Sequence, residues 1–211
     1  MRRLLIFLKY PTPGKVKTRL AAALGDEAAA SLYRACAELT LERLRPLQRK
    51  TRLCVEPAEA LTRTAAWIGQ DWSMTPQRGA TLGDRLAHAT GEAFDEGARG
   101  VIVVGTDSPW LSEREVEQAF AALERADVVI GPTEDGGYYL IGLARPAPAL
   151  FDDVPWSTPQ VCARTLARAR ALGLRVRLLR TGYDVDRLED VERFAAEVVR
   201  ERARTQEVSH A

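Results

Sequence analysis

What most constrains the fold of this chain is an alternation of short apolar runs with longer stretches of helical spacing, repeated almost from end to end. Residues 4–8 read as a strand, the Ala-rich 26–44 as a helix, 51–55 as a strand and 58–68 as a helix. Helical spacing returns over 81–96 and an apolar run over 101–105. A helix then spans 112–125, opened by the capping box Ser112 and Glu115. A strand follows at 127–130 and another at 138–143, after the turn at Gly136 and Gly137. Thr158 followed by Pro159 reads as a helix start, a cap with proline at the first position. Residues 175–179 read as a late strand, 188–204 as a closing helix, and 205–211 as a disordered tail. Strands alternating with helices favour one α/β domain, residues 1–204, on a mainly parallel sheet covered on both faces.

Length and charge narrow the function classes. A chain of 211 residues can bury a large core in one domain. Its 30 basic and 29 acidic residues leave a net charge of +1, so no global field draws it to nucleic acid or an anionic membrane, and any anion site must be local. The apolar runs at 4–8 and 101–104 are far too short to span a bilayer. The first also lacks the long apolar core and cleavage site of a signal peptide, so a cytoplasmic location is expected. Cys36, Cys54 and Cys162 stand isolated with only His88 and His210 beside them. They form neither a zinc spacing nor a disulfide framework and read as reduced fillers.

Three polar clusters fall just after expected strands, the edge at which open α/β sheets bind ligands. The first holds two prolines, Gly14 and four cations: Lys9, Lys15, Lys17 and Arg19. A glycine-bearing basic loop supplies both close backbone N–H groups and countercharge to a di- or triphosphate, although a solvated basic turn has the same composition. The Walker and G-x-G-x-x-G spacings are both missing. The second cluster, Gly105, Thr106, Asp107, Ser108 and Pro109, follows the most apolar run. A carboxylate there can reach Mg²⁺ on phosphate oxygens, or cap a turn before Pro109. In the third, Glu134 or Asp135 beside paired glycines suits an acceptor site or a base, and equally a hairpin turn. Further on, Asp184 and Asp186 share a face if the segment is extended; Asp186 alone suits a helix N-cap as well as a ligand. Trp156 reads as an aromatic wall or a buried tryptophan.

Taken in order, the motifs resemble a known family. The run Phe7, Lys9, Pro11, Pro13, Gly14, Val16, Lys17, Thr18, Arg19 and Leu20 is similar to the opening motif of the transferases associated with radical-SAM/selenodomain proteins. Those are glycosyltransferase-like and akin to phospholactate guanylyltransferases. The resemblance continues through Gln77, Gly79 and Leu82 to Arg85, through Gly105 to Pro109, then Gly131 and Pro132 and Asp135 to Gly142. It ends with Phe151, Trp156, Ser157, Thr158, Asp184, Val185, Asp186 and Asp190, so it covers nearly the whole chain. It implies the nucleotide-diphospho-sugar transferase (GT-A) fold, phosphate handling by Lys17 and Arg19, and metal on Asp107 and Asp186. Two departures stand out: Ser108 replaces a frequent Cys, and Gly14 to Leu20 replace the G-x-G-T-R-L pattern of sugar nucleotidyltransferases.

The expected activity is a metal-dependent transfer, with Mg²⁺ or Mn²⁺, of a nucleoside monophosphate from a triphosphate to a small phosphorylated or phosphonate acceptor, with release of pyrophosphate. Lys9, Pro13, Gly14, Lys15, Thr18, Gln77 and Gly83 would hold the nucleotide. Asp135, Gly136, Gly137, Tyr138, Trp156 and Thr158 would hold the acceptor. An acceptor ionised at neutral pH needs no general base. The alternative keeps the fold but takes a nucleotide sugar as donor, with Glu134 or Asp135 as base. A third reading is a catalytically silent nucleotide-binding partner. No nucleic acid or membrane partner is expected, and pairing of chains into a homodimer stays open.

Overall fold

The computed structural model describes residues 1–208, with side chains as far as Glu201. Seven strands form one sheet: β1 (Arg2–Lys9), β2 (Thr51–Glu56), β3 (Ser73–Pro76), β4 (Gly100–Val104), β5 (Val128–Pro132), β6 (Tyr138–Leu143) and β7 (Val176–Leu178). Between and after them run α1 (Thr18–Leu24), α2 (Asp26–Arg43), α3 (Leu61–Ile68), α4 (Leu82–Asp95), α5 (Glu113–Ala122), α6 (Val161–Ala171) and α7 (Leu188–Val208).

The order across the sheet is β3-β2-β1-β4-β6-β5-β7. β3, β2, β1 and β4 are parallel neighbours, β7 is parallel to β5, and β6 runs antiparallel to both β4 and β5. Local chemistry explains the exception. The connection from β5 to β6 is a tight turn in which Asp135 Oδ1 accepts hydrogen bonds from Thr133 Oγ1 at 2.6 Å and from the Gly137 N–H at 3.1 Å. Gly136 takes a φ of 90° there, which only glycine adopts freely.

Alternation along the strands sends side chains to two cores. Leu4, Ile6 and Leu8 of β1 join Ile102, Val104 and Phe120 under α2 and α5. Leu5 joins Val101, Val103, Leu86 and Ala169 under α4 and α6. The four β1 leucine and isoleucine side chains are wholly shielded, and burial of each contributes roughly 1.5–3 kcal/mol relative to exposure. β4 is buried along its whole length, as a central strand covered on both faces must be.

Five details differ from the sequence expectations. Thr18, Arg19 and Leu20 belong to α1, so the basic loop ends at Lys17. Ser73–Pro76 forms an edge strand that its short, mixed sequence hides, with Pro76 at its last position. The sixth helix starts at Val161 rather than at Pro159: residues 158–160 make a turn in which Thr158 Oγ1 accepts from the Gln160 N–H at 3.3 Å. The last helix continues to Val208, so 205–208 are helical, and residues 209–211 of the expected tail lie outside the described residues. At the start of that helix Asp190 Oδ2 accepts from the N–H groups of Asp186 and Arg187, so Asp190 does the capping considered for Asp186. By contrast, the capping box of α5 is present as read, with the Ser112 N–H donating to Glu115 at 3.0 Å.

Candidate active site

The chain leaves β1 toward β2 and β3 on one side and returns to β4 on the other, so the strand order reverses between the parallel neighbours β1 and β4. Open α/β sheets bind ligands at the carboxyl edge of such a switch point. Here that edge opens into a cleft of about 600 Å³. Lys15, Lys17, Arg19, Asp107, Asp184 and Asp186 line its charged part, Lys9, Glu56, Gln77 and Arg85 line the part above β2 and β3, and Phe7, Leu86, Val103 and Ile141 form an apolar floor.

Lys17 organises the charged part. It closes the basic loop in a left-handed conformation, φ 47° and ψ 45°, rare for a non-glycine residue and typical of strained functional positions. This turns its side chain inward, leaving it only 2% exposed, with Nζ 2.5 Å from Asp107 Oδ1 and 2.9 Å from Asp186 Oδ1. Burial works against the charged form, yet the charges and hydrogen bonds of Asp107 and Asp186 outweigh it and hold the ammonium above its ordinary pKa. Arg19, on the first turn of α1, stays 57% exposed, with Nη1 3.6 Å from Asp186 Oδ2.

Backbone and side-chain links hold the two aspartates together. The Val185 N–H donates to the Asp107 carbonyl at 2.8 Å, and Ser108 Oγ donates to Asp184 Oδ1 at 2.5 Å. These tie the loop after β4 to the segment before α7. Val185 is fully buried, so Asp184 and Asp186, two residues apart, both face the cleft. Burial, with Asp107 close by, pushes the Asp184 carboxyl up to about 7. At the cleft wall Tyr33 of α2 accepts from the Lys9 N–H at 2.8 Å, and the Thr106 hydroxyl bonds to it at 2.9 Å.

The cleft therefore gathers Lys9, Lys15, Lys17, Thr18, Arg19, Gln77, Asp107, Tyr138 and Asp186 from the expected residues. The rest serve the architecture. Pro13 and Gly14 shape the loop from outside the lining. Gly83 is a packing position, since a Cβ there would lie 2.8 Å from the Phe151 carbonyl and 2.9 Å from Trp156 Nε1. Asp135 and Gly137 are consumed by the β5–β6 turn, and a Cβ on Gly136 would meet the Pro159 carbonyl at 2.0 Å. Thr158 donates its hydroxyl to the Pro155 carbonyl at 2.7 Å. Trp156 stands behind Tyr138, edge-on at 6.4 Å, so only Tyr138 of the expected acceptor residues reaches the cleft. Glu134 lies outside the cleft lining and pairs with Arg193 at 2.9 Å. Tyr33 carries no signal in an Ala-rich helix, whereas Glu56, next after the expected strand 51–55, and Arg85, in the motif Leu82 to Arg85, are signals that the sequence reading leaves unused. The three cysteines are free, as expected. No helix among the described residues is long and apolar enough to cross a membrane.

Known proteins resemble the chain in sequence and in structure. Over 141 residues it is 30% identical to the phosphoenolpyruvate guanylyltransferase of Chloroflexus aggregans, covering 65% of this chain and 67% of that one. Over 183 residues it is 28% identical to the phosphoenolpyruvate guanylyltransferase of Sphaerobacter thermophilus, covering 85% and 86%. The crystal structure of a Desulfovibrio desulfuricans G20 protein, assigned provisionally as a nucleotide-diphospho-sugar transferase, superposes with a TM-score of 0.85 at 37% identity, covering 90% of this chain and 84% of that one. A family model described as "uncharacterized protein conserved in bacteria (DUF2064)" matches residues 40–158, more than half of the sequence. The chain belongs to this DUF2064 family, and it is a transferase with the nucleotide-diphospho-sugar transferase fold.

Proposed function

We propose that the protein is a nucleotidyltransferase that moves a nucleoside monophosphate from a triphosphate to a small phosphorylated acceptor and releases pyrophosphate. The observation that carries this reading is the Lys17 ammonium lying 2.5 Å from Asp107 and 2.9 Å from Asp186, in one cleft with Lys15 and Arg19. The names of the two guanylyltransferase relatives favour GTP as donor and phosphoenolpyruvate as acceptor.

The donor set fits a divalent cation. Two carboxylates whose oxygens both reach one atom can share one ion, and Mg²⁺ takes one or two carboxylates plus phosphate oxygens and water. Asp107 and Asp186 would hold Mg²⁺ or Mn²⁺, which supplies countercharge to the phosphates. Arg19 and Lys15 add further positive charge at the same end of the cleft, where charge spreads over phosphate oxygens during transfer. An acceptor already ionised at neutral pH needs no base.

The nucleotide-sugar alternative is favoured by the 37% identical Desulfovibrio structure. Its two candidate bases, however, are engaged outside the cleft, Glu134 by Arg193 and Asp135 by the β5–β6 turn. The test is incubation with GTP, phosphoenolpyruvate and Mg²⁺, following pyrophosphate and the guanylylated acceptor by mass spectrometry. Nucleoside diphosphate released from a nucleotide sugar, with no pyrophosphate from any triphosphate, would overturn the proposal in favour of the alternative.

A further inference from the structure

We infer that Glu56 and Gln77 are the residues that select guanine, with Arg85 and Lys9 completing the reading of the base. The inference rests on the nucleotidyltransferase reading and adds to it a specificity site above β2 and β3.

Strand order supplies the distances. Asp107 follows β4, Glu56 ends β2 and Gln77 follows β3, in a sheet ordered β3-β2-β1-β4. With neighbouring strands about 4.8 Å apart, Glu56 stands about 10 Å and Gln77 about 14 Å from the Asp107 position across the sheet. A nucleoside separates its phosphate from the far edge of its base by a comparable length. Phosphates held at Asp107 and Arg19 therefore leave the base beside Glu56 and Gln77, over the apolar Leu82 and Leu86 of α4.

The polar groups there have fixed orientations. The Gln77 N–H donates to the Val55 carbonyl at 2.9 Å, and its Nε2 donates to the Cys54 carbonyl at 2.8 Å. Because a carbonyl can only accept, the amide nitrogen must face Cys54. The Oε1 atom then turns away from it, and among the described residues it accepts no hydrogen bond. Glu56 is paired with Arg85 and lies 3.7 Å from Lys9 Nζ, and a carboxylate oxygen pair so engaged keeps lone pairs to spare. Arg85 is itself steadied by a 3.1 Å bond from Nε to the Gly79 carbonyl, at the start of a helix capped by Thr81 and Asp84.

The result is two acceptors, Glu56 and Gln77 Oε1, beside two cations. Guanine is the common base whose pairing edge carries two adjacent donors, N1–H and the 2-amino group, next to the acceptors O6 and N7, which suit Arg and Lys. Adenine, cytosine and uracil each set an acceptor on that edge against a carboxylate that can only accept, which leaves buried polar groups unpaired.

The test is calorimetric titration of the full chain, in Mg²⁺, with GTP, ITP, ATP, CTP and UTP. GTP should bind at least about tenfold tighter than ITP, which lacks only the 2-amino group, and tighter still than the other three. Glu56→Gln should lower GTP affinity about tenfold or more and bring the GTP-to-ATP ratio toward one, while inorganic pyrophosphate binds as in the parent. Triphosphate binding without preference for GTP, or a Glu56→Gln chain that still separates GTP from ITP, overturns the inference and leaves the nucleotidyltransferase reading standing. No binding of any triphosphate overturns both. The GTP-to-ITP comparison uses the unaltered chain, so a lack of preference there overturns the inference even if the variant fails to fold.

Discussion

The Nζ atom of Lys17 donates to Oδ1 of Asp186 at 2.9 Å although 169 positions of sequence separate the two residues. With Asp107 at 2.5 Å on the same nitrogen, the lysine occupies the point that a cation shared by the two carboxylates would need. A metal seated there, as proposed, would compete with the lysine for the same oxygens. Removing the ammonium in Lys17→Met leaves two like charges facing each other. Two unit charges 4 Å apart repel by about 1 kcal/mol in water and about 4 kcal/mol at an effective dielectric of 20. The variant should melt lower than the parent in metal-free buffer, by about 2–4 °C for each kcal/mol lost. Added Mn²⁺ should raise its melting temperature more than the parent's, because nothing competes for the site. Equal responses in the two chains would take Lys17 out of the cation site.

Asp107→Asn keeps the shape of the residue and the backbone carbonyl that holds Val185, but removes half of the shared charge. The side chain is 46% exposed, but it is one of two counter-charges to the buried Lys17, so the variant should melt somewhat lower while remaining folded. Pyrophosphate release should fall by about 10²-fold or more, the scale on which electrostatic contacts to a reacting group act. Parent-like turnover would remove Asp107 from the chemistry.

Where local pattern and tertiary role coincide, the sequence was readable. The apolar run of β4 announced a central strand, and the polar residues that follow it, Asp107 above all, stand at the cleft as the strand-end rule implies. The basic loop likewise delivers Lys15, Lys17 and Arg19. The acceptor cluster misled because Asp-Gly serves a hairpin equally well, and Pro159, distant in sequence, packs against Gly136. Tyr33 was hidden in an Ala-rich helix; only the fold shows that its hydroxyl meets Lys9 and Thr106. That the loop lysine points inward was equally illegible, since the two carboxylates it meets come from distant parts of the chain.

Strong acid should weaken the tie at the far edge of the sheet. Asp127, at the start of β5, is held down to about 2 from an ordinary 3.8, chiefly by the hydrogen bonds from the Arg175 side chain and N–H, with its charge adding to them. A folded pKa below the unfolded one means the stabilisation is complete above 3.8 and is lost as pH falls through about 2. Urea unfolding of Asp127→Asn should show lower stability at neutral pH and a shallower loss between those two values than the parent shows. Parallel acid curves for the two chains would assign the acid sensitivity to other groups.

Arg19 is the cation best placed to meet phosphate from solution. Lys17 is enclosed by its two aspartates, whereas Arg19 is 57% exposed on the first turn of α1 and only 3.6 Å from the nearer oxygen of Asp186. An exposed pair at that distance adds little to stability, so Arg19→Ala should melt close to the parent. Its effect belongs to binding. Triphosphate affinity should drop about tenfold, and the remaining affinity should depend less on salt, because screening acts on the contact that has gone. Arg19→Lys keeps the charge but not the planar fork, and should fall between the two. Titrations at low and high salt separate these outcomes: a parent-like salt slope in Arg19→Ala would mean that phosphate never touches this side chain, and the charged part of the cleft would then depend on Lys15 alone for its accessible countercharge.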